Sequence, residues 1–276
     1  TQAQVTTLAR GIATSYSGTN TNVNFNGHLD FQPDLVWIKE RFGTSNHQIK
    51  DTVRGDFALF PNLNIAESPT SVLDFEANGF SFTGSDGSIN NSGDDYVAWA
   101  WKAGGAAVSN TAGTITSQVS ANKDSGFSIV KFTVPASGDF SVGHGLSSTP
   151  EMVITKSTDA FNWFIYNKDL SSGSNGTYTI QFNTNAENGN YKWWGDGMTN
   201  NVIGGTANTS FDINTETIAY CFHSVSGYSR IESYSGTGSS GNAITGLGFQ
   251  PNWLMVKRID VSGGSWLIVD NKRVEN

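Results

Sequence analysis

Aromatic and amide side chains crowd the stretch from Asn183 to Asn201, where Tyr191, Trp193, Trp194 and Asp196 stand among Asn and Gly. Rings flanked by amides stack on sugar faces while hydrogen-bonding the hydroxyls, so these four residues form the candidate site for a glycan or a protein partner. A second reading stays open. Counted back from the next apolar strand, Trp193 and Trp194 fall opposite Val72 and Leu73 of a similar, earlier stretch, as core positions filled by larger residues.

The other reactive residue types form no constellation. His28, His47, His144 and His223 lack metal-ligand spacing, and a lone His in such loops is more often a turn or surface residue than a ligand. The run Ser85–Asp95 holds oxygen ligands and glycines that suit calcium, but it lacks the bidentate Glu of an EF-hand loop and reads as a turn. Glu151 and Glu216 are the acids to consider for glycoside hydrolysis, which needs two carboxyls across a cleft. In the related stretches they become Asp34 and Asn252, and Asp95, so nothing singles them out. Lys39, Lys156 and Lys257 recur at the ends of apolar runs, where a packed stem with its head carried to water is expected rather than a Schiff base. No catalytic residue, metal or cofactor is assigned.

Strands must position these residues. Tyr16-Ser17-Gly18-Thr19, Leu29, Pro33 and Leu35-Val36-Trp37-Ile38-Lys39 recur as Phe132, Leu146, Pro150 and Met152-Val153-Ile154-Thr155-Lys156. They recur again as Tyr234-Ser235-Gly236-Thr237, Leu247, Pro251 and Trp253-Leu254-Met255-Val256-Lys257. The period is roughly 110 residues, the scale of domains rather than of solenoid turns. Pro fits at a strand's start but would remove a donor from its interior. A second echo follows: Ile49-Lys50-Asp51, Ile165-Tyr166-Asn167 and Ile268-Val269-Asp270, the last two led by Trp163 and Trp266.

A closing strand occurs twice, as Asp95–Trp101 and Glu216–Phe222. Alternation puts Val97, Trp99 and Trp101 on one face, with Ile218, Tyr220 and Phe222 as counterparts. The opposite face carries Ala98 and Ala100, matched by Ala219 and Cys221, so a packed core is expected on one side and a close neighbour on the other. Cys221, the single cysteine, reads as a small core residue.

The echoes divide the chain into module 1 (1–106), a polar connector (107–126) with a strand or hairpin arm at Thr114–Val119, module 2 (127–225) and the opening half of module 3 (226–276). After Asp270 only Asn271 to Asn276 remain, so the third copy has no closing strand of its own. A longer natural polypeptide, another chain, or pairing of the first residues with the last would each supply it; the first is the expectation. The tight joint at 223–227 suggests a rod. The one place for a short helix is Asp51–Asn64.

Composition agrees with tandem antiparallel β-sandwich modules and an all-β class: 31 glycines and 14% charged residues suit short strands and tight turns. A net charge of −8 with pI ≈ 4.9 repels nucleic acid. No apolar run is long enough for a membrane span, and no signal peptide is visible.

Phe31-Gln32-Pro33-Asp34-Leu35-Val36-Trp37-Ile38-Lys39, Asp51-Thr52-Val53-Arg54-Gly55, Tyr96-Val97-Ala98-Trp99-Ala100-Trp101-Lys102-Ala103-Gly104-Gly105 and Gly143-His144-Gly145-Leu146 together resemble a repeat domain of structural proteins from tailed phages, especially marine and cyanobacterial ones. The resemblance covers nearly the whole chain and implies a jelly-roll or lectin-like sandwich in a virion component, such as a tail fibre, spike or capsid fibre. It implies other virion proteins as partners, homo-oligomers, a host-surface glycan as ligand, and no catalysis. A secreted carbohydrate-binding protein or polysaccharide depolymerase is the competing expectation.

Overall fold

Large side chains on one face of each central strand and small ones on the other decide how the sheets stack. A computed structural model describes residues 2–6, 12–17, 23–24, 29–69, 72–170, 179–184, 197–207, 212–260 and 263–273, the first three segments as backbone. The chain opens with β1 (Gln2–Thr6). Module 1 contributes β2 (Ile12–Ser17), β3 (Val23–Asn24), β4 (Leu35–Glu40), β5 (Gln48–Asp51), β6 (Phe57–Ala58), β7 (Ser68–Pro69), β8 (Leu73–Glu76), β9 (Gly79–Phe82) and β10 (Asp95–Trp101). The connector forms β11 (Val108–Asn110) and β12 (Ser117–Asn122). Module 2 follows with β13 (Phe127–Thr133), β14 (Gly138–Gly143), β15 (Met152–Ser157), β16 (Phe164–Asn167), β17 (Ile180–Gln181), β18 (Val202–Ala207) and β19 (Glu216–Phe222). Module 3 supplies β20 (Glu232–Ser235), β21 (Trp253–Arg258) and β22 (Leu267–Asp270). The fold is all-β, with antiparallel sheets and no helix among the described residues.

Each module builds the same four-stranded sheet. Module 1 runs β2-β10-β4-β5, module 2 embeds β13-β19-β15-β16 in a longer sheet, and module 3 runs β20-β1-β21-β22. Register confirms the repeat: Trp99 pairs with Trp37 as Tyr220 pairs with Ile154. In the third sheet the closing position belongs to β1, which pairs with β20 on one side and β21 on the other. Of the three explanations for the incomplete copy, the structure thus shows the pairing of first residues with last. Thr6 sits opposite Met255, the register position held by Trp99 and Tyr220 elsewhere. A ladder needs only backbone donors and acceptors, so the polar sequence Gln2–Thr6 fills a slot that side-chain matching does not reveal.

The bulky faces of the three sheets meet in one shared core, with Trp37, Val97, Trp99 and Trp101 from module 1, Ile154, Ile218, Tyr220 and Phe222 from module 2, and Trp253 and Met255 from module 3. The modules are therefore wrapped around common packing rather than strung along a rod. On the small faces, Ala98 and Ala100 lie against Phe80 and Phe82 of a second sheet, β3-β9-β8. Ala219 and Cys221 likewise lie against Phe140, Val142 and Ile203 of β14-β18. Modules 1 and 2 are thus two-layered.

The connector belongs to module 2, since β12 pairs with β13 and β11 with β12. The expected helix after Asp51 is absent. Asp51 instead caps the backbone N–H groups of Val53 and Arg54, and Gly55 leaves the turn at φ 74°, a conformation that favours glycine.

Candidate functional site

Residues that recur in the modules are spent on holding them together. Asp51 Oδ2 accepts from Arg54 Nε at 2.7 Å and from the Tyr220 hydroxyl of module 2 at 2.7 Å. Arg54 returns Nη2 to the Ile49 carbonyl at the edge of its own sheet. Asp270 repeats the arrangement: Oδ1 caps Lys272 and Arg273, while Oδ2 accepts from Arg273 Nε and from Trp99 Nε1 of module 1 at 3.2 Å. Module 2 carries a neutral version, with Asn167 capping Asp169 and Leu170 in the arginine's place. Burial alone would lower the Arg54 pKa, but Asp51, Tyr220 and Glu67 more than offset it and hold it above the ordinary value. Burial, then Asp51, raises the Tyr220 phenol well above its ordinary value.

Asp34, Glu151 and their uncharged copy Asn252 immediately precede the repeated proline strand and latch it. Asp34 accepts from the Ala103 and Gly105 N–H groups at 2.7 and 3.3 Å. Glu151 accepts from the Ser224 N–H and hydroxyl, and Asn252 Oδ1 accepts from Asn271. Glu216 pairs with Lys131 at 3.3 Å. Gly104 has to be glycine for space, because a Cβ there would lie 2.5 Å from the Ala121 carbonyl oxygen.

The three lysines keep their structural role by a different device from the one expected. Each ammonium bends onto the carbonyl of its strand's last residue and one in the loop that follows: Lys39 onto Glu40 and Gly43, Lys156 onto Ser157 and Asp159, Lys257 onto Arg258 and Gly264. Lys156 and Lys257 are fully buried, so their heads do not snorkel. Desolvation lowers the Lys156 pKa to about 8.

Indole N–H groups link neighbouring modules in a fixed direction. Trp163, which leads β16, donates to the Phe60 carbonyl of module 1 at 3.0 Å. Trp266, which leads β22, donates to the Gln181 carbonyl of module 2 at 3.1 Å. The equivalent residue of module 1 is His47, whose Nδ1 accepts from Trp37 Nε1 at 2.9 Å. Burial, aided by Lys39 and Arg273, lowers its pKa to about 4. The ring is therefore neutral, with its proton on Nε2.

Where modules 3 and 1 meet beside module 2, a cleft of about 650 Å³ opens, lined by Trp37, His47, Trp99, Phe182, Trp266 and Arg273 among others. Its rings meet edge to face: Trp37 with Trp99 at 5.5 Å, Trp37 with Phe182 at 5.5 Å, and Phe182 with Trp266 at 5.1 Å. Arg273 lies 5.1 Å over the Trp99 ring. Such a cleft suits a flat or extended ligand with hydrogen-bonding groups along one side.

The sequence-derived site, Tyr191, Trp193, Trp194 and Asp196, lies outside the described residues. The segment carrying it leaves from Asn183 and Thr184, both on the rim of the cleft. His28 also lies outside. His144 is a buried turn residue, bonded to Thr199 O and Leu146 N, and burial lowers its pKa. Cys221 is buried in the module 2 core, which pushes its thiol up to about 12. In Ser85–Asp95, Asp86 caps Ser88 and Asn91 bonds Asp94, as in ordinary turns. No metal-ligand cluster occurs among the described residues. The sequence reading missed the links through Asp51, Asp270 and His47. A signal was present: Asp-x-x-Arg recurs at Asp51–Arg54 and Asp270–Arg273.

A family model described as a domain of unknown function, DUF7483, matches residues 12–276. The chain belongs to that family. Comparisons with curated proteins and with solved structures find no match. The matched span starts after β1 and includes every residue lining the cleft.

Proposed function

We propose that this protein is a non-enzymatic structural component of a tailed-phage virion, a segment of a tail fibre, spike or capsid fibre that presents β modules for assembly and host-surface binding. One observation carries the non-enzymatic part: the acids and lysines that recur between copies are occupied in latching strands and modules, with Asp51, Asp270 and the three lysines each committed to two or more partners. Groups so committed contribute rigidity to the strands and modules they latch. The virion assignment draws on the resemblance of the Asp34, Arg54 and Lys102–Gly105 motifs to phage structural repeats.

The experiment is particle-based. Antibodies raised against this chain should label purified phage from the native host, with gold at the tail or capsid surface by electron microscopy. Label confined to the soluble fraction of infected cells would refute it. A carbohydrate-binding reading draws on the aromatic cleft, and release of reducing ends from host polysaccharide by the purified chain would favour the depolymerase form of it.

A further inference from the structure

Away from the seams between modules, the second layer of module 2 carries a groove of its own. Phe140, Val142, Ile203 and Ala207 of β14 and β18 face the module core, so by alternation Asp139, Ser141, Gly204 and Thr206 face outward. The layer is wider than its two strands. Ile115 runs parallel to β14 with its N–H on the Ser141 carbonyl at 3.1 Å, and the turn from Thr199 to Val202 brings the chain before β18 back along the other side. There Gly197 and Gly204 approach so closely that a Cβ on Gly204 would lie 2.9 Å from the Gly197 Cα. The outward face is hollow at this place, a groove of about 440 Å³ whose polar lining is Thr114, Asp139, Ser141, Thr199 and Thr206.

These groups are held in place and only partly used. The Thr206 hydroxyl donates to Asp139 Oδ1 at 2.6 Å, which leaves Oδ2 as an acceptor. Ser141 Oγ accepts from the Thr114 N–H at 3.1 Å, and Thr199 Oγ1 accepts from the N–H groups of Asn201 and Val202 at 3.2 and 3.1 Å. Both hydroxyls therefore keep a proton to donate. The groove offers a carboxylate acceptor and two hydroxyl donors on short side chains that neighbouring backbone holds in position, so little side-chain freedom is lost when they are engaged. No lysine or arginine is among the described residues that line it, so an anionic ligand finds no counter-charge there.

We propose that this groove binds neutral hexose units of a polysaccharide, with Asp139 accepting from two adjacent sugar hydroxyls and Ser141 and Thr199 donating to sugar oxygens. A sugar hydroxyl both donates and accepts, which a mixed set of this kind satisfies and a wholly cationic or wholly acidic one does not. The volume falls in the range of small-molecule sites. The inference deepens the host-surface reading and rests on it for the source of the polysaccharide; gold labelling of particles tests that reading, and binding by the purified chain tests this one.

The test is titration of the full 276-residue chain with methyl glucoside, methyl galactoside and methyl mannoside, followed by amide chemical shifts. A single ring in an open groove is expected to bind in the millimolar range. At least one of the three sugars should shift the amides of Asp139, Ser141 and Thr206 saturably. Asp139→Asn should weaken that binding at least about tenfold, because an amide replaces an ionised acceptor. Ser141→Ala should weaken it as well, while Asp124→Asn, which alters a carboxylate outside the groove, should not. The uronic acid counterpart of whichever hexoside binds should bind less well. Absence of saturable shifts with all three sugars, shifts confined to residues outside the groove, unchanged affinity in either folded groove variant, or tighter binding of the uronic acid would each overturn the proposal.

Discussion

The Asp51–Arg54 pair allows a test in which the protein supplies its own control. Arg54→Leu places in module 1 the residue that module 2 carries at Leu170. It removes a guanidinium bonded to Asp51 Oδ2, to the carbonyls of Ile49 and Phe57 and to Glu67, and it leaves a fully buried carboxylate with two N–H groups and the Tyr220 hydroxyl. Removing one partner of a buried pair costs about 3–5 kcal/mol. Adding Asp51→Asn reproduces Asn167 and Leu170: the amide oxygen takes the place of Oδ1 and still caps the turn, the amide NH2 takes the place of Oδ2 and donates to the Tyr220 hydroxyl oxygen, and no charge stays buried. The double variant should then lie within about 2 kcal/mol of the parent, the residue of loss being unpaired carbonyls. Urea unfolding followed by tryptophan fluorescence would read this as a midpoint lowered by at least about 1 M for Arg54→Leu, taking a slope of about 3 kcal/mol/M, and largely restored in the double variant. A double variant as unstable as the sum of the two single ones would refute the reasoning, because it would mean that the pair acts through packing and not through compensation of charge.

Three further outcomes are expected. His47 has a folded pKa near 4 against an ordinary 6.5, so the unfolded chain takes up a proton that the folded one refuses; stability should fall as pH drops from about 6.5 to 4, by at most about 3 kcal/mol and less where the ring edge meets solvent. Chemical unfolding at stepped pH should show that slope, flattened in His47→Gln; an unchanged slope would show that His47 does not cause it. Lys156→Met should lower stability by about 1–3 kcal/mol by orphaning the Ser157 and Asp159 carbonyls, and more than Lys39→Met, whose loop is open to water; the reverse order in thermal melts would count against carbonyl capping. Gly104→Ala should cost about 2 kcal/mol or more, since the new methyl meets Ala121 backbone, which cannot yield as a side chain does; a neutral melting point would show that β12 shifts freely.

Much of the fold can be read from alternation alone. Trp99 and Trp101 with Ala98 and Ala100, and Tyr220 and Phe222 with Ala219 and Cys221, declare a strand with a wide face and a narrow one. The structure puts both wide faces in one core and gives each narrow face a second sheet. The proline strand is legible for the same local reason, since Pro stops a ladder; the burial of Lys156 and Lys257 at its far end is not.

What one chain cannot announce is which surfaces meet when several copies of a pattern are present. Period-two alternation says that Trp37 and Trp253 are inward, and is silent on whether inward means a core within each module or one core shared by all. That choice depends on summed burial across residues far apart in sequence, as in Trp101 against Trp253 at 5.5 Å. The same holds for β1, whose place between β20 and β21 is set by backbone hydrogen bonds common to every sequence. It holds again for Asp51 and Asp270: each marks a turn in the sequence, but only tertiary structure brings Tyr220 and Trp99 to their carboxylates. Local steric and solvation preferences are written residue by residue, so the sequence determined strands, faces and repeats. Closure around a common core is a property of how the faces satisfy one another, and the tertiary structure alone decided it.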